Sequence, residues 1–151
     1  MSKDNKFDIE KRLIDFAVRI IRTAESLSKT KAGNHIGGQL TRCGTSPAPN
    51  YGEAQSAESI ADFIHKMKVC LKELRETRVW LLMIIRAYLI KPESKLKPLI
   101  DENNELISIF VKSINTAKKI KGKNHNSIFD IQHSIFLGDL KTSNGKVSCL
   151  S

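Results

Sequence analysis

The sequence predicts an all-α protein, an antiparallel up-and-down four-helix bundle, on three observations. Ser56 to Lys91 contains neither Pro nor Gly. Within it Ile60, Ile64, Met67, Leu71, Leu74, Arg78, Leu81, Ile85 and Tyr88 step by four and three, and all but Arg78 are apolar or amphipathic. That is the seam a helix buries against other helices. The same stepping recurs from Ile9 to Leu27 and from Leu96 to Ala117, and the composition (6% aromatic, 40% hydrophobic, 27% charged) suits a bundle.

About 35 helical residues rise roughly 50 Å, so the other helices must lie alongside this rod. From Val79 to Ile85 (VWLLMII) it is apolar at every step, and a helix apolar all round has more than one partner face. Val79, Trp80, Leu82 and Met83 are therefore candidates for contact between subunits, with Trp80 as the anchor because buried aromatics dominate interface energetics.

The remaining elements follow in order. Met1 to Lys6 is a polar lead-in, and Asp8 with Glu10 behind it marks a helix start with an acidic cap. A first helix over about 8–28 lines up Ile9, Leu13, Phe16, Ile20, Ala24 and Leu27, with Ala17 and Ile21 widening the stripe. Lys11, Arg12, Arg19 and Arg22 stay on the wet side. Gly33 reads as a left-handed or turn position.

The second element, about 34–54, carries Gly37, Gly38, Gly44, Gly52, Pro47 and Pro49, a loop-like composition. Ile36, Leu40 and Cys43 nevertheless fall at helical spacing, so two short helices are expected with a break near Thr45. Ser46 before Pro47 can cap the restart. The long helix then spans about 57–91, with Glu58 near its positive end and Pro92 as its stop. A fourth, about 95–120, ends in Lys118, Lys119 and Lys121, well placed at a negative helix end.

The bundle thus occupies 1–121. In the tail, 122–151, an apolar cluster (Ile128, Phe129, Ile131, Ile135, Phe136, Leu137) lies between polar flanks. Either the cluster docks as a short segment or the tail is largely mobile; the flanks favour mobility.

With 151 residues, the chain fits one domain. Lys and Arg number 25 against 16 Asp and Glu, a net charge of +9. Such charge favours nucleic acid, an anionic surface or an acidic partner, and its bland reading is solubility. Cys43, Cys70 and Cys149 form no C-x-x-C spacing, which argues against a disulfide framework or a zinc site and fits a reducing cytoplasm. The longest apolar run, broken by Arg86, is too short to span a membrane.

Three strings then carry a resemblance: HIGGQL, GTSPAPNYGEAQSAES and DFIHKMKVCLKELRETRVWL, with RLIDFAVRI and LIDENNELISIFVKSINTAKK in agreement. The chain resembles the bacterial four-helix-bundle proteins encoded in intervening sequences of 23S ribosomal RNA genes, over about Phe7 to Lys119. The resemblance implies a second helix that runs on past its prolines and a ring-like homopentamer. That family is similar in turn to the accessory variability determinant of diversity-generating retroelements, a basic barrel that binds nucleic acid and a reverse transcriptase. Cys43 stands where the family pattern has Ser or Ala, and Pro49 where it has Ala.

Chemistry-bearing constellations are thin. A di-iron bundle needs two Glu-x-x-His pairs and two further inward carboxylates; Asp62 to His65 and Asp130 to His133 are loose matches, and the other ligands are absent. Cys43 and His35 have no orienting carboxylate, and no phosphate-cradling loop exists. No catalytic residue, metal or cofactor is therefore expected. Arg78 and Asn103 interrupt apolar seams: either both sit at the bundle edge, or they fix register, with Arg78 pairing to Glu53 or Glu105.

The cations group by face. His35 and Arg42 share one with Gln39; Lys68, Lys72 and Arg75 share another; Lys11, Arg12, Arg19 and Arg22 line the first helix. Repeated round a ring they would hold a polyanion without reading its sequence, and sparse aromatics argue against base stacking. The expected function is a non-enzymatic oligomeric scaffold that binds RNA or DNA. Its rival is a structural or protein-recruiting adaptor, with a reverse transcriptase among the partners the resemblance suggests.

Overall fold

The computed structural model describes residues 8–123, and these residues are helical with no strand among them. The helices are α1 (Ile9–Glu25), α2 (Lys31–Thr45), α3 (Pro47–Gln55), α4 (Ile60–Arg86) and α5 (Lys97–Gly122), with a 3-10 turn at Glu93–Lys95 before α5. The chain-end expectations, including the tail beyond Lys123, lie outside the described residues.

α2 and α3 share one position of a four-helix bundle. Ser46 between them keeps right-handed helical dihedrals (φ −58°, ψ −36°), and helical bonds run from Ser46 N to the Arg42 carbonyl and from Asn50 N to the Ser46 carbonyl, each 3.3 Å. The interruption is therefore chemical: Pro47 and Pro49 lack donors, while the path stays helical. Ser46 makes no side-chain cap, contrary to expectation. Instead Asn50 Nδ2 donates to the Ser46 carbonyl and hydroxyl at 2.9 and 3.0 Å.

Local signals placed the other starts. Asp8 Oδ1 accepts from Lys11 N at 2.9 Å, opening α1. Thr30 Oγ1 accepts from Gly33 N at 3.1 Å, so α2 begins three residues earlier than the sequence suggested. Gly33 is consequently helical rather than left-handed; a β-carbon there would lie 2.0 Å from the Ser28 carbonyl oxygen. Ser59 Oγ accepts from Asp62 N at 3.1 Å and opens α4.

The long helix is shorter than its unbroken sequence implies, with 27 residues that end at Arg86. Pro92 does not stop it. Tyr88 adopts φ 53°, and the Tyr88 and Leu89 amides donate to the Ile85 and Ile84 carbonyls at 3.0 and 3.1 Å. This is a Schellman turn with a tyrosine in the left-handed position. Leu89 and Ile90 fold back and pack against the core, a burial that a continued helix would forgo.

Neighbours in space follow chain order. α1 packs on α2 and α3, α2 and α3 pack on α4, and α4 packs on α5, while α1 and α5 touch more sparsely. The core runs the length of the bundle through Phe16, Ile20, Leu40, Phe63, Leu74, Leu81, Leu106 and Phe110. Beyond Leu74 the buried line of α4 moves to Thr77, Leu81 and Ile84, leaving Arg78 and Tyr88 exposed. A strict four-three stepping averages 3.5 residues per turn and drifts about 20° per heptad from a straight helix. Over four heptads that rotates the expected seam off the core.

Candidate nucleic-acid interface

The α4 positions Lys68, Leu71, Lys72 and Arg75 are spaced i, i+3, i+4, i+7. The α5 positions Val111, Ile114, Asn115 and Lys118 have the same spacing. Together these eight residues line an open groove of about 480 Å³ between the two helices. Leu71 and Ile114 are buried and Val111 is half-buried, forming an apolar floor, while Lys68, Lys72, Arg75 and Lys118 are exposed along the rim. No carboxylate lines the groove. α5 contributes to this by its charge order: Asp101, Glu102 and Glu105 lie in its first half, and every charged residue after Glu105 is a lysine.

The other cations expected to bind nucleic acid lie elsewhere. Arg12 is forked: Nε and Nη2 donate to the Glu102 carboxylate at 2.9 Å each, and Nη2 also donates to Glu105 at 2.9 Å. The hydrogen bonds to Glu102 raise its guanidinium pKa above the ordinary value, against the opposing effect of burial. Arg42 extends from α2 to α4, where it pairs with Glu73 at 3.2 Å and with Glu76. Lys11 lies 3.9 Å from the Asp15 carboxylate. Arg19 is half-buried and Arg22 exposed, both on α1, and His35 is exposed on α2. The structure thus joins Lys68, Lys72 and Arg75 to Lys118, a residue that sequence reasoning had placed only as a helix-end charge. The matching spacing on both helices was the signal that could have found it.

Of the two polar breaks, Arg78 is exposed and has neither Glu53 nor Glu105 as partner; these pair with Lys66 and Arg12. Asn103 is fully buried instead of lying at an edge. Its Nδ2 donates to the Leu74 carbonyl at 3.2 Å, and its Oδ1 has no partner.

The apolar run of α4 is divided. Val79 and Met83 are 47% and 45% exposed, whereas Leu82 and Trp80 are half-buried. Trp80 meets His35 edge-on at 5.9 Å and donates from Nε1 to Glu76 at 3.2 Å. On α1 a second exposed line, Ile14, Val18 and Ile21, was missed by the sequence analysis, which counted Ile21 toward the core.

Neither described cysteine is placed for nucleophilic work. Cys43 and Cys70 are buried. Burial pushes the Cys43 thiol up and the Cys70 thiol up to about 12. Among the described residues no group of three or more His, Cys, Asp or Glu could hold a metal, and no helix is long and apolar enough to cross a membrane.

The profile of the family described as 23S rRNA-intervening sequence protein matches residues 5–112. The chain belongs to this family. A solved structure agrees with that placement: a protein of unknown function from the S23 ribosomal protein family of Bacteroides thetaiotaomicron is similar at 33% identity. It covers 71% of this chain and 98% of its own, with a TM-score of 0.66. A search of curated proteins gives no match. The family match includes the α4 face of the groove and ends within α5, at the residue after Val111, so Ile114, Asn115 and Lys118 lie beyond it.

Proposed function

We propose that this family member is a non-enzymatic scaffold, assembled as a homo-oligomer of pentameric type, that holds the backbone of RNA or DNA in the α4/α5 groove. The observation that carries this reading is the convergence of Lys68, Lys72, Arg75 and Lys118 on one groove with no lining carboxylate. Lys68 to Arg75 spans two helical turns, about 10 Å, and one DNA strand offers a phosphate about every 3.4 Å of helix axis. Each subunit then engages three or four phosphates. With no aromatic residue in the lining, it has no platform for stacked bases, so binding is indifferent to sequence.

Salt dependence tests it. Three or four released counterions per subunit weaken binding about 40- to 150-fold between 50 and 200 mM salt. Reversing Lys68, Lys72 and Arg75 to Glu weakens binding to all sequences alike. A flat salt titration, or charge reversal without effect, removes nucleic acid from the function. The exposed α1 line of Ile14, Val18 and Ile21 favours a second reading, a protein-recruiting adaptor, since aligned apolar residues mark protein contact. On that reading RNA binds no better than to an unrelated protein of equal charge.

A further inference from the structure

The bundle leaves two apolar stripes uncovered, and the charges at their ends are of opposite sign. On α1, Ile14, Val18 and Ile21 are 49%, 39% and 44% exposed. They stand between exposed Glu10 and exposed Glu25, the five residues falling at i, i+4, i+8, i+11 and i+15. On α4, Arg75, Val79, Met83 and Arg86 are all exposed and repeat the spacing i, i+4, i+8, i+11, with exposed Lys72 one turn before Arg75. Residues so spaced share one helix face. We propose that the two stripes are the halves of one interface, with α1 of one copy lying along α4 of the next copy of this chain. This names the contact behind the oligomeric reading above and rests on that reading; it does not depend on nucleic acid.

Three observations carry it. The first is charge complementarity. Glu10 and Glu25 are about 22 Å apart along α1, and Lys72 and Arg86 about 21 Å apart along α4. With Val18 set against Val79, both carboxylates reach a cation whichever way the two helices run. Pairing α1 with α1, or α4 with α4, would instead bring like charges together, which disfavours it. The second is availability. Among the described residues Glu10, Lys72, Arg75 and Arg86 form no ion pair, and Glu25 has only exposed Lys29 at 3.8 Å. The third is placement. α1 and α4 each pack on α2, α3 and α5 without packing on each other, so they hold opposite corners of the bundle. The stripes cannot meet within one chain, and one copy can use both at once. Contact between unlike faces repeats from copy to copy and closes into a ring where the rotation allows. The α1 half also has room beside it: Glu25 lines an open groove of about 340 Å³ with Gly37, Gly38 and Thr41 of α2.

Mixing two variants of the full chain tests the pairing. Ile14→Glu with Val18→Glu spoils the α1 stripe, and Val79→Glu with Met83→Glu spoils the α4 stripe. Each variant alone is expected to be monomeric by light scattering. An equimolar mixture is expected to form a one-to-one dimer that grows no further, because each variant brings one intact stripe; the dimer also reports that both are folded. An α1 variant that keeps the mass of the unaltered chain overturns the proposal and leaves that stripe to a different protein. A mixture that stays monomeric with full helical circular dichroism also overturns it. A charge swap decides the matter if either variant loses its helix. Glu10→Lys with Glu25→Lys is expected to dissociate the assembly, and adding Lys72→Glu with Arg86→Glu to the same chain is expected to restore it; no restoration overturns the pairing. Lys72 also lines the α4/α5 groove, so mass is read without nucleic acid. A monomeric unaltered chain would remove the oligomeric reading and this interface together, and would leave phosphate binding to its own salt titration.

Discussion

Gly44 on α2 lies so close to Ile20 on α1 that a β-carbon at position 44 would sit 2.6 Å from Ile20 Cγ2. A glycine is required there because the helix axes approach too closely for a side chain. Gly38, six residues earlier on another face, has nothing within 4 Å of the same built atom. Gly44→Ala should lower stability by about 1–3 kcal/mol through overpacking. Gly38→Ala should raise it by about 0.5–1 kcal/mol because alanine loses less backbone entropy in a helix. Urea midpoints of the two variants measure the contrast, and equal shifts would refute it.

Arg12 joins α1 to α5 across their otherwise sparse contact, with side chains of Arg12 and Glu102 that are 12% and 21% exposed. Arg12→Ala should cost about 2 kcal/mol, since it leaves a partly buried carboxylate without its fork. Lys97→Ala, which breaks a surface pair with Asp101 (75% and 58% exposed), should cost under about 0.5 kcal/mol. Arg12→Ala should leave the salt slope of RNA binding unaltered, whereas Lys72→Glu should flatten it. Thermal melts and a salt titration check both halves.

The buried thiols make a pH prediction. Cys70 is held protonated up to about 12 in the folded chain, while an unfolded cysteine ionises near 8.5. Between those values the unfolded chain binds fewer protons than the folded one, so stability falls as pH rises, by at most about 1.4 kcal/mol per unit from this group. Cys70→Ala should flatten that decline. Alkylation of Cys43 and Cys70 at pH 8 should proceed only after denaturant is added.

Asn103 keeps one bond, to the Leu74 carbonyl, at the expense of an unpartnered buried Oδ1. A net hydrogen bond contributes about 1 kcal/mol, and an unsatisfied buried acceptor costs about 1–3 kcal/mol. Asn103→Leu should therefore leave stability unchanged or raise it by up to about 1 kcal/mol. A loss larger than 1 kcal/mol would mean that Oδ1 has a partner in solution.

Val79 and Met83 are the exposed members of the apolar run and the cleanest probes of assembly. Val79→Glu with Met83→Glu should split the oligomer and keep full helical circular dichroism. Trp80→Glu is a blunter instrument, because Trp80 also contacts His35 and Glu76 within the subunit. Light scattering that reports a monomer for the unmodified chain would end the oligomer proposal.

What the sequence alone determined was local. Helix existence and type, the apolar stripe of α1 and the cap at Asp8 all rest on residues within a turn or two of one another, whereas the start of α4 lies at Ile60, capped by Ser59, rather than at about 57 as the sequence suggested. Hydrogen bonds at i+3 and burial at period 3.6 need no knowledge of the rest of the chain.

Tertiary structure decided the features that depend on partners distant in sequence. It paired Arg12 with carboxylates about ninety residues away and Arg42 with carboxylates about thirty away. It buried Asn103 and exposed Arg78, and it ended α4 at Arg86 so that Leu89 and Ile90 could return to the core. It also brought Lys118 beside Lys68, Lys72 and Arg75. A charge pattern on one helix states which residues share a face. Only the packing of a second helix against that face determines whether its cations meet carboxylates or stand together along an open groove.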